Sequence, residues 1–273
     1  MCGRYVMARA TSDLVALGDA EANEDLVLRQ SWNVAPTAEV PILVAHADDG
    51  GAGVTRRIHV ARWGLVPPWA KELSVGSRAF NARSETVASK PTFRAAVRAR
   101  RCAVPVEGYY EWKTPEPGAK GPDGRAAKKQ PYYVHPAGAG DGEGPVIWFA
   151  GLYEWWQDPE AKAAGEDAWV LSTTILTMAA PDADDDEPVL AALGQLHDRM
   201  PVPMDAETMD RWLTPDTLGS AEEADALVGQ VCAGAYDVAA GWSLRPVGSA
   251  VGNVRNNGPE LIQEMREQQG TLL

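Results

Sequence analysis

The stretch from Arg101 to Trp112, RCAVPVEGYYEW, carries the strongest fold signal in the chain. Cys102–Val106 is an uninterrupted apolar run of the length expected for a buried strand. Gly108–Trp112 is predicted to continue that strand, and it sets the carboxyl of Glu111 among aromatic side chains. Aromatic neighbours exclude water from a carboxyl, so the stretch predicts both a core strand and a candidate acid/base.

Short apolar runs and amphipathic segments lie on both sides of this stretch, separated by polar loops. Further strands are predicted at Val40–Ala45, Arg57–Trp63, Tyr132–Val134, Val146–Tyr153, Ala168–Ile175 and Trp242–Val247. Helices are predicted at Thr11–Leu17, Phe93–Arg101, Val189–Gln195, Ala206–Leu213 and Ala221–Val231. Residues 32–37 are predicted as a turn, and residues 158–167 as an exposed loop. No repeat and no long linker divides the chain, so we expect one α+β domain over residues 1–273, with mainly antiparallel sheet.

The composition is typical of a globular protein without a membrane span. Hydrophobic residues make up 45% of the chain, and no apolar run reaches the roughly 18 residues of a membrane helix. The N-terminus has no basic segment followed by an apolar run, so no secretory signal is expected. Cys2, Cys102 and Cys232 form neither a CxxC pair nor an even-numbered set, which favours a reduced, cytoplasmic location without structural zinc.

Charge is distributed unevenly along the chain. The formal net charge is −13, which by itself argues against a nucleic-acid partner. Between Arg56 and Arg101, however, eleven Lys and Arg residues are opposed only by Glu72 and Glu85. This segment predicts a local basic face that binds phosphates. The alternative is that several of its arginines simply solvate the helix near residues 92–101.

The N-terminal residues Met1-Cys2-Gly3-Arg4 offer a distinct chemistry. Because Cys is small, removal of Met1 is expected, and it leaves Cys2 with a free α-amine beside its thiol. Reference pKa values are about 8 for the amine and about 8.5 for the thiol, so both reactive forms exist near neutral pH. Such an aminothiol condenses with an aldehyde to an imine, and its sulfur then closes a five-membered thiazolidine ring. The alternative is a cysteine at position 2 without function.

Eight stretches, in order along the chain, resemble the SOS response-associated peptidase (SRAP) family of abasic-site processing proteins. They are MCGRY (1–5), WNVAPT (32–37), RWGLVPPWA (62–70), NARSET (81–86), RCAVPVEGYYEW (101–112), STT (172–174), LHDRMPV (196–202) and VGNVRNNGPELI (251–262). Each is weak alone, whereas their joint occurrence at this spacing is specific. The loops at 114–130, 138–144 and 181–189 lie outside the resemblance and are predicted to be insertions.

The resemblance implies a single SRAP-like domain with a barrel-like sheet and flanking helices. It also implies a DNA-damage-response protein that senses abasic sites in single-stranded DNA. Cys2 would cross-link to the ring-opened sugar aldehyde as a thiazolidine and shield the lesion. Further implications are a lyase side reaction and a self-processing peptidase activity. We expect no metal, no organic cofactor and no membrane partner, and a monomer that is associated with the nucleoid of a bacterium.

The family motifs also imply roles for three residues beside Cys2. Glu111 would relay protons during ring opening and imine formation, and His197 would exchange a proton with the sugar oxygen. Asn81 would hold the Cys2 amine with its side-chain carbonyl, or the sugar hydroxyl with its amide. The alternatives are an exposed strand carboxylate for Glu111, a structural histidine for His197 and a turn-forming asparagine for Asn81.

Implied phosphate contacts are Arg4 and Arg83, whose planar guanidinium groups match phosphate oxygens. Lys90 is a third candidate, although the family match around it is offset.

An implied wedge of Trp69 with Pro36 and Asn33 would stack on bases next to the lesion. Thr173 would add a hydroxyl to the pocket. Trp63 is expected in the core instead.

Two other functions are compatible with these residues. An N-terminal-nucleophile amidohydrolase or cysteine peptidase would use Cys2 to attack an amide, with its own amine or His197 as base. The Arg4 and Arg83 cations have no evident use in peptide hydrolysis. A non-covalent single-stranded DNA-binding module would use those cations but not the chemistry of Cys2.

Overall fold

The computed structural model describes residues 2–48, 53–121, 123–138 and 144–265. Within these residues the strands are β1 Tyr5–Met7, β2 Ser31–Val34, β3 Glu39–Ala47, β4 Val54–Trp63, β5 Asn81–Arg83, β6 Arg101–Val106, β7 Gly108–Lys113, β8 Gln130–Pro136, β9 Ile147–Gln157, β10 Trp169–Ala179, β11 Arg199–Pro201, β12 Pro203–Met204 and β13 Trp242–Pro246.

The helices include all five that the sequence predicted. They are α1 Thr11–Gly18, α2 Arg94–Ala99, α3 Pro159–Ala164, α4 Pro188–Leu196, α5 Ala206–Leu213, α6 Ala221–Ala233 and α7 Ala235–Ala240, with 3-10 turns at Leu73–Arg78, Ser84–Thr86, Ser249–Gly252 and Pro259–Ile262. Side-chain caps set the starts of α5 and α6, as one also does for α3, described below. Asp205 accepts from the backbone N–H of Thr208 before α5, and Ser220 accepts from that of Glu223 before α6.

Five strands close into a barrel in the order β10, β4, β3, β6 and β9, with β9 pairing back onto β10. The β9–β10 ladder is antiparallel and runs from Trp169 opposite Gln157 to Ile175 opposite Gly151. Most pairs are antiparallel, but β10 runs parallel to both β4 and β5. Every side chain of β6 is buried, which is why this strand reads as a continuous apolar run instead of an alternating one. The predicted α+β domain with a barrel-like sheet is confirmed.

A second, antiparallel sheet has the order β13, β8, β7, β1 and β2. The prediction of one continuous strand over residues 102–112 is therefore wrong, because β6 belongs to the barrel and β7 to the second sheet. Glu107 lies where the chain passes from one sheet to the other. Its backbone N–H donates to the carbonyl of Val6, and its carboxylate pairs with Arg9 at 3.2 Å. The stretch from Arg101 to Trp112 thus connects the two sheets, and its second half carries Glu111 alongside β1.

Two further segments differ from their predicted conformation. Residues 31–34 form a strand beside β1, and the turn comes after them, where Thr37 has φ +76°. Residues 158–167, predicted as a loop, contain α3. Asp158 caps this helix by accepting from the backbone N–H groups of Glu160 and Ala161, and Gly165 ends it at φ +78°.

No helix within the described ranges has the length and apolar character needed to cross a membrane. Among the predicted insertions, residues 114–130 connect β7 to β8, and residues 181–189 lead from β10 into α4. Residues 139–143 of the third one lie outside the described residues. That these loops are insertions, and that one domain spans residues 1–273, stay predictions.

Candidate functional site

Cys2 lies three residues before the first residue of β1, Tyr5, and is fully buried. Its thiol is 4.0 Å from the backbone carbonyl oxygen of Arg4, which accepts from it. Burial raises the pKa of the Cys2 thiol far above its usual range, and the negative charge of Glu111 raises it further. The thiol is therefore protonated at neutral pH, and a reaction at sulfur requires a base that takes its proton.

Glu111 supplies a carboxyl close to that thiol. It lies on β7, whose ladder with β1 sets Tyr109 opposite Tyr5, and it is only 5% exposed. Its Oε1 accepts a hydrogen bond from the backbone N–H of Trp112 at 3.3 Å. The alternative of an exposed strand carboxylate is thereby excluded. Glu111 occupies the water-poor, aromatic surroundings that its sequence neighbours predicted.

Asn81 joins the barrel to the N-terminal strand. It is the first residue of β5 and lies opposite Ile175 of β10. Its side-chain amide donates to the backbone carbonyl of Cys2 at 2.7 Å. The two implied roles of Asn81, holding the Cys2 amine with its side-chain carbonyl or the sugar hydroxyl with its amide, stay predictions. Its Oδ1 is buried and has no hydrogen-bond partner among the residues that the structure describes. Because buried polar atoms are nearly always satisfied, this oxygen is a candidate acceptor for a ligand.

His197 follows α4 directly and is partly exposed. Its Nδ1 lies 3.0 Å from the backbone nitrogen of Arg199 and 2.6 Å from Oδ1 of Asp198. These two partners require opposite states of the ring. Nδ1 accepts from the Arg199 N–H when it carries no hydrogen, and it donates to Asp198 when it carries one, which a change of tautomer alone can bring about.

An ion pair links two of the family motifs. The guanidinium of Arg199 donates to both carboxylate oxygens of Glu85, at 2.8 and 3.0 Å, and to the carbonyl of Thr177 at 2.6 Å. The bonds from Arg199 lower the pKa of Glu85. Since Thr177 lies opposite Arg83 in the β5–β10 ladder, the pair holds the residues after His197 against β5. The sequence shows that Glu85 and Arg199 have opposite charges, but it does not show that the two motifs lie next to each other in the fold.

The basic segment from residue 56 to residue 101 divides into two groups. Within the described part of the chain, one group bonds to carboxylates or backbone carbonyls: Arg56, Arg57, Arg62, Arg98, Arg100 and Arg101. The other group is exposed and forms no ion pair with any described residue: Lys71, Arg78, Arg83, Lys90 and Arg94. The basic face is therefore smaller than the sequence indicates, but it includes both Arg83 and Lys90.

Trp69 and Pro36 lie in loops at the edge of the barrel. Trp69 is 62% exposed, and Pro36 is half-buried. The loop that carries Trp69 begins at Gly64, whose φ is +131°. Its backbone lies so close to Gly76 that a Cβ on Gly76 would be 2.3 Å from the Gly64 carbonyl oxygen. An exposed indole on such a constrained loop suits base stacking, whereas Trp63 is fully buried, as predicted.

Three of the predicted DNA contacts have partners within the protein. Arg4 donates to Oδ1 of Asn33 at 2.8 Å and to the carbonyl of Val251 at 2.9 Å. Asn33 is 5% exposed, and its amide also donates to backbone carbonyls of residues 251, 253 and 256. Thr173 is fully buried and donates to a carbonyl of β9. We therefore assign structural roles to Asn33, which secures the C-terminal loop, and to Thr173, which lies in the barrel wall.

A cleft of about 500 Å³ lies beside Asn81, between the 3-10 turn Leu73–Arg78 and the residues that precede α2. Lys90 and Arg78 are among its lining residues. This cleft could not be predicted from local sequence patterns, because its walls come from segments on either side of β5. No three His, Cys, Asp or Glu side chains in the described ranges are grouped so that they could hold a metal ion.

Comparison with known proteins identifies the family. The family model described as SOS response associated peptidase (SRAP) matches residues 1–254. The abasic site processing protein YoqW of Bacillus subtilis is 31% identical over 268 residues, which cover 96% of this chain and 99% of YoqW. The abasic site processing protein HMCES of Gallus gallus is 28% identical over 254 residues, covering 86% of this chain and 66% of HMCES.

A crystal structure of a Bacteroides thetaiotaomicron protein has a similar fold. It superposes with a TM-score of 0.68 at 20% identity, covering 97% of this chain and 100% of that one. The family model covers nearly the whole chain, from the first of the motifs quoted above into the last one. The chain belongs to the SOS response-associated peptidase (SRAP) family.

Proposed function

We propose that this protein recognises abasic sites in single-stranded DNA and captures them covalently through Cys2, as a DNA-damage-response protein. The names of the curated relatives, abasic site processing proteins, support this function. The observation that carries it is the surroundings of Cys2. Asn81 holds the Cys2 carbonyl, and Glu111 lies close enough to influence its thiol. The residue that bears both reacting atoms is thus positioned beside an acid/base.

The first step is attack by the α-amine of Cys2. Hydrolysis of the peptide bond after Met1 frees this amine. Its nitrogen adds to C1′ of the ring-opened deoxyribose, and a proton passes from nitrogen to the former aldehyde oxygen, which gives a carbinolamine. Glu111 in its acid form then donates a proton to the hydroxyl, which leaves as water, and an iminium ion remains.

Ring closure follows at the same carbon. The Cys2 sulfur adds to the iminium carbon as its thiol proton passes to the Glu111 carboxylate. The product is a neutral thiazolidine, one water has been released in total, and Glu111 has returned to its acid form. Because burial keeps the thiol protonated, this step depends on a nearby base.

The ring explains how the lesion would be shielded. An iminium ion acidifies the neighbouring C2′ position, so that β-elimination of the 3′ phosphate would cleave the strand. Addition of sulfur removes the C=N bond and stops that path. Lyase activity would therefore be a side reaction that grows when ring closure is slow.

DNA contacts would come from the exposed residues around Asn81. Arg83 and Lys90 are assigned to phosphates, and Trp69 to stacking on an unpaired base, which favours single-stranded DNA. Arg4, half-buried beside the same site, retains guanidinium N–H groups beyond those that bind protein carbonyls. His197 is assigned to proton exchange at the sugar oxygen.

Peptidase activity enters this proposal only as removal of Met1. A cysteine peptidase relies on a thiolate, and the buried thiol of Cys2 has a raised pKa instead. Hydrolysis of other peptides is therefore not part of the proposed function.

Cross-linking to an abasic oligonucleotide, with an intact oligonucleotide of the same sequence as control, tests the proposal. On a denaturing gel, the wild-type protein should form a stable band with the abasic strand alone. Cys2→Ser keeps the amine but lacks the sulfur, so its adduct should survive only after borohydride reduction of the imine. Cys232→Ser, on α6, should behave like the wild type. A stable band from Cys2→Ser without borohydride would show that sulfur is dispensable and would overturn the mechanism.

A further inference from the structure

Two histidines of the barrel face each other across a short distance. His46 lies on β3 and His59 on β4, and their Nε2 atoms are 3.2 Å apart. The rings meet edge to face, with centroids 5.4 Å apart. Sequence spacing does not reveal this pair, because its members are 13 positions apart and come together only through the pairing of the two strands. Neither histidine belongs to the surroundings of Cys2 described above.

Both rings line a recess at one mouth of the barrel. Side chains from four of the five barrel strands form it, and besides the histidines they are Val44 of β3, Tyr153 and Trp155 of β9, and Leu171 of β10. Trp155 is 44% exposed, so the recess is open to solvent. Its volume of about 40 Å³ is room for one ion with a few water molecules.

The two Nε2 atoms present the form of imidazole that binds metals. Among the described residues, neither ring has a hydrogen-bond partner other than its fellow histidine. Burial lowers the pKa of both imidazoles, and the nearby charge of Arg57 lowers it further. Both rings are therefore neutral at pH 7, and neutral imidazole is the metal ligand. Without an ion, one Nε2–H would donate to the other nitrogen, whereas with an ion both lone pairs would point at it.

The separation of the two nitrogens suits two ligands of a single metal ion. Imidazole nitrogen binds Zn²⁺ at about 2.0–2.1 Å, and an ion at that distance from both atoms would see them at an angle of about 100°, close to tetrahedral. The separation of 3.2 Å therefore needs no adjustment of either ring. One cation lies nearby, but Arg57 is paired with Glu21 at 3.3 Å, which offsets its repulsion of an ion.

The geometry of this pair points to a metal site that is separate from the proposed capture of DNA. We propose that His46 and His59 bind one divalent transition-metal ion of the kind that prefers imidazole, namely Ni²⁺, Cu²⁺ or Zn²⁺, and that the ion bridges β3 and β4 at the mouth of the barrel. Water fills the remaining coordination positions, together with the hydroxyl of Tyr153 where it turns toward the ion. Two protein ligands make this a reversible site, unlike a structural zinc site with four.

Calorimetric titration of Ni²⁺ into the full chain, prepared without a histidine tag, tests the proposal. The parent protein carries Cys2→Ala, because a free aminothiol would itself chelate the ion. This parent should bind one Ni²⁺ per chain. His46→Gln and His59→Gln should each weaken binding roughly a hundredfold, since loss of a ligand costs at least as much as the 10–100-fold expected for an outer-sphere partner. His197→Gln, which removes a partly exposed histidine outside the recess, is the matched control and should bind like the parent.

Two further measurements support the titration. Saturating Ni²⁺ should raise the Tm of the parent and of the control but not that of the double variant His46→Gln with His59→Gln, because an ion that binds the folded state stabilises it. The electron paramagnetic resonance spectrum of one equivalent of Cu²⁺ should show two imidazole nitrogens in the parent and one in each single variant. Circular dichroism without metal verifies that the variants are folded.

Two results would overturn the proposal. One is a parent that binds no Ni²⁺ at millimolar concentration, which would leave the histidines as a hydrogen-bonded pair. The other is binding that His46→Gln and His59→Gln do not weaken, which would place the ion elsewhere on the chain. Neither result bears on cross-linking to abasic DNA, so this proposal and the proposed function stand or fall separately.

Discussion

The side-chain amide of Asn81 donates to the backbone carbonyl of Cys2 across 2.7 Å, and this bond connects the barrel to the N-terminal strand. Cys2 bears the two atoms that would react, one on the main chain and one on the side chain. A hydrogen bond to its carbonyl restrains both. The second sheet restrains the next residues, since Tyr110 donates its N–H to the carbonyl of Arg4. The nucleophile is thus held from both sheets.

Asn81→Ala should slow cross-linking about tenfold, because the loss of one hydrogen bond to a buried carbonyl costs roughly 1–2 kcal/mol. Asn81→Asp should slow it more, since it loses the donor and places a carboxylate against the Cys2 carbonyl. Single-turnover rates with an abasic oligonucleotide measure both effects. Asn23→Ala, at an exposed position, is the control. Rates equal to that control would mean that the bond does not position Cys2.

Glu111→Gln should lower the cross-linking rate by about two orders of magnitude, the usual contribution of a general acid/base. The amide keeps the size of the carboxyl but cannot take the thiol proton. Binding of an oligonucleotide with a tetrahydrofuran abasic analogue, which has no aldehyde, should be unchanged, and this separates an effect on chemistry from an effect on affinity. Glu116→Gln, exposed in the loop after β7, should react at the wild-type rate. Weaker binding with an unaltered rate would assign Glu111 to DNA recognition instead.

Alkaline pH should destabilise the wild type more than Cys2→Ala. Burial raises the pKa of the Cys2 thiol above its ordinary value of about 8.5, so its contribution to stability is full below that pH and is lost as pH rises above it. Because the thiol stays protonated in the folded state, the protein loses about 3 kcal/mol of this contribution by pH 10.5. Urea unfolding at pH 8 and pH 10.5 measures the difference. Equal pH slopes in both proteins would show that the thiol is not buried in this way.

Gly76→Ala should destabilise the protein by about 2–4 kcal/mol, because backbone atoms cannot give way to the added methyl group. Its Cβ would lie 2.3 Å from the Gly64 carbonyl oxygen. It should also weaken DNA binding, since the same contact holds the Trp69 loop. Gly229→Ala, in α6 with no atom within 4 Å of the added group, should instead stabilise by about 0.5–1 kcal/mol. Chemical denaturation of both variants provides the comparison, and an unaffected Gly76→Ala would refute the close approach.

Strands and helices could be predicted where the local pattern of apolar residues shows which side chains are buried. The apolar run of β6 and the periodic apolar residues of α2 show this, since each reflects contacts on its own face. The break between β6 and β7 could not be predicted, because it depends on the contact of Glu107 with Arg9, far away in the sequence. The sheet that a strand joins depends on the strands with which it pairs. The local sequence of a strand does not show which strands those are.

The candidate site shows the same division. The burial of Glu111 could be anticipated from its aromatic neighbours in the sequence, and the chemistry proposed for Cys2 likewise rests on its own position in the chain. Which arginines of the basic segment stay exposed could not be predicted, because their bonding partners are carbonyls and carboxylates from other segments of the chain. Arg101, for example, donates to the carbonyl of Trp212, and nothing in its own surroundings in the sequence indicates that it is buried.

The most direct test of the central claim is the intact mass of the protein before and after incubation with an abasic oligonucleotide. Covalent capture through Cys2 should give a protein that lacks Met1, and a conjugate whose mass is that of protein plus oligonucleotide less one water, formed without reductant. Peptide mapping should place the DNA on Cys2. A conjugate on another residue, or a protein that keeps Met1 and still cross-links, would rule out capture by the Cys2 aminothiol.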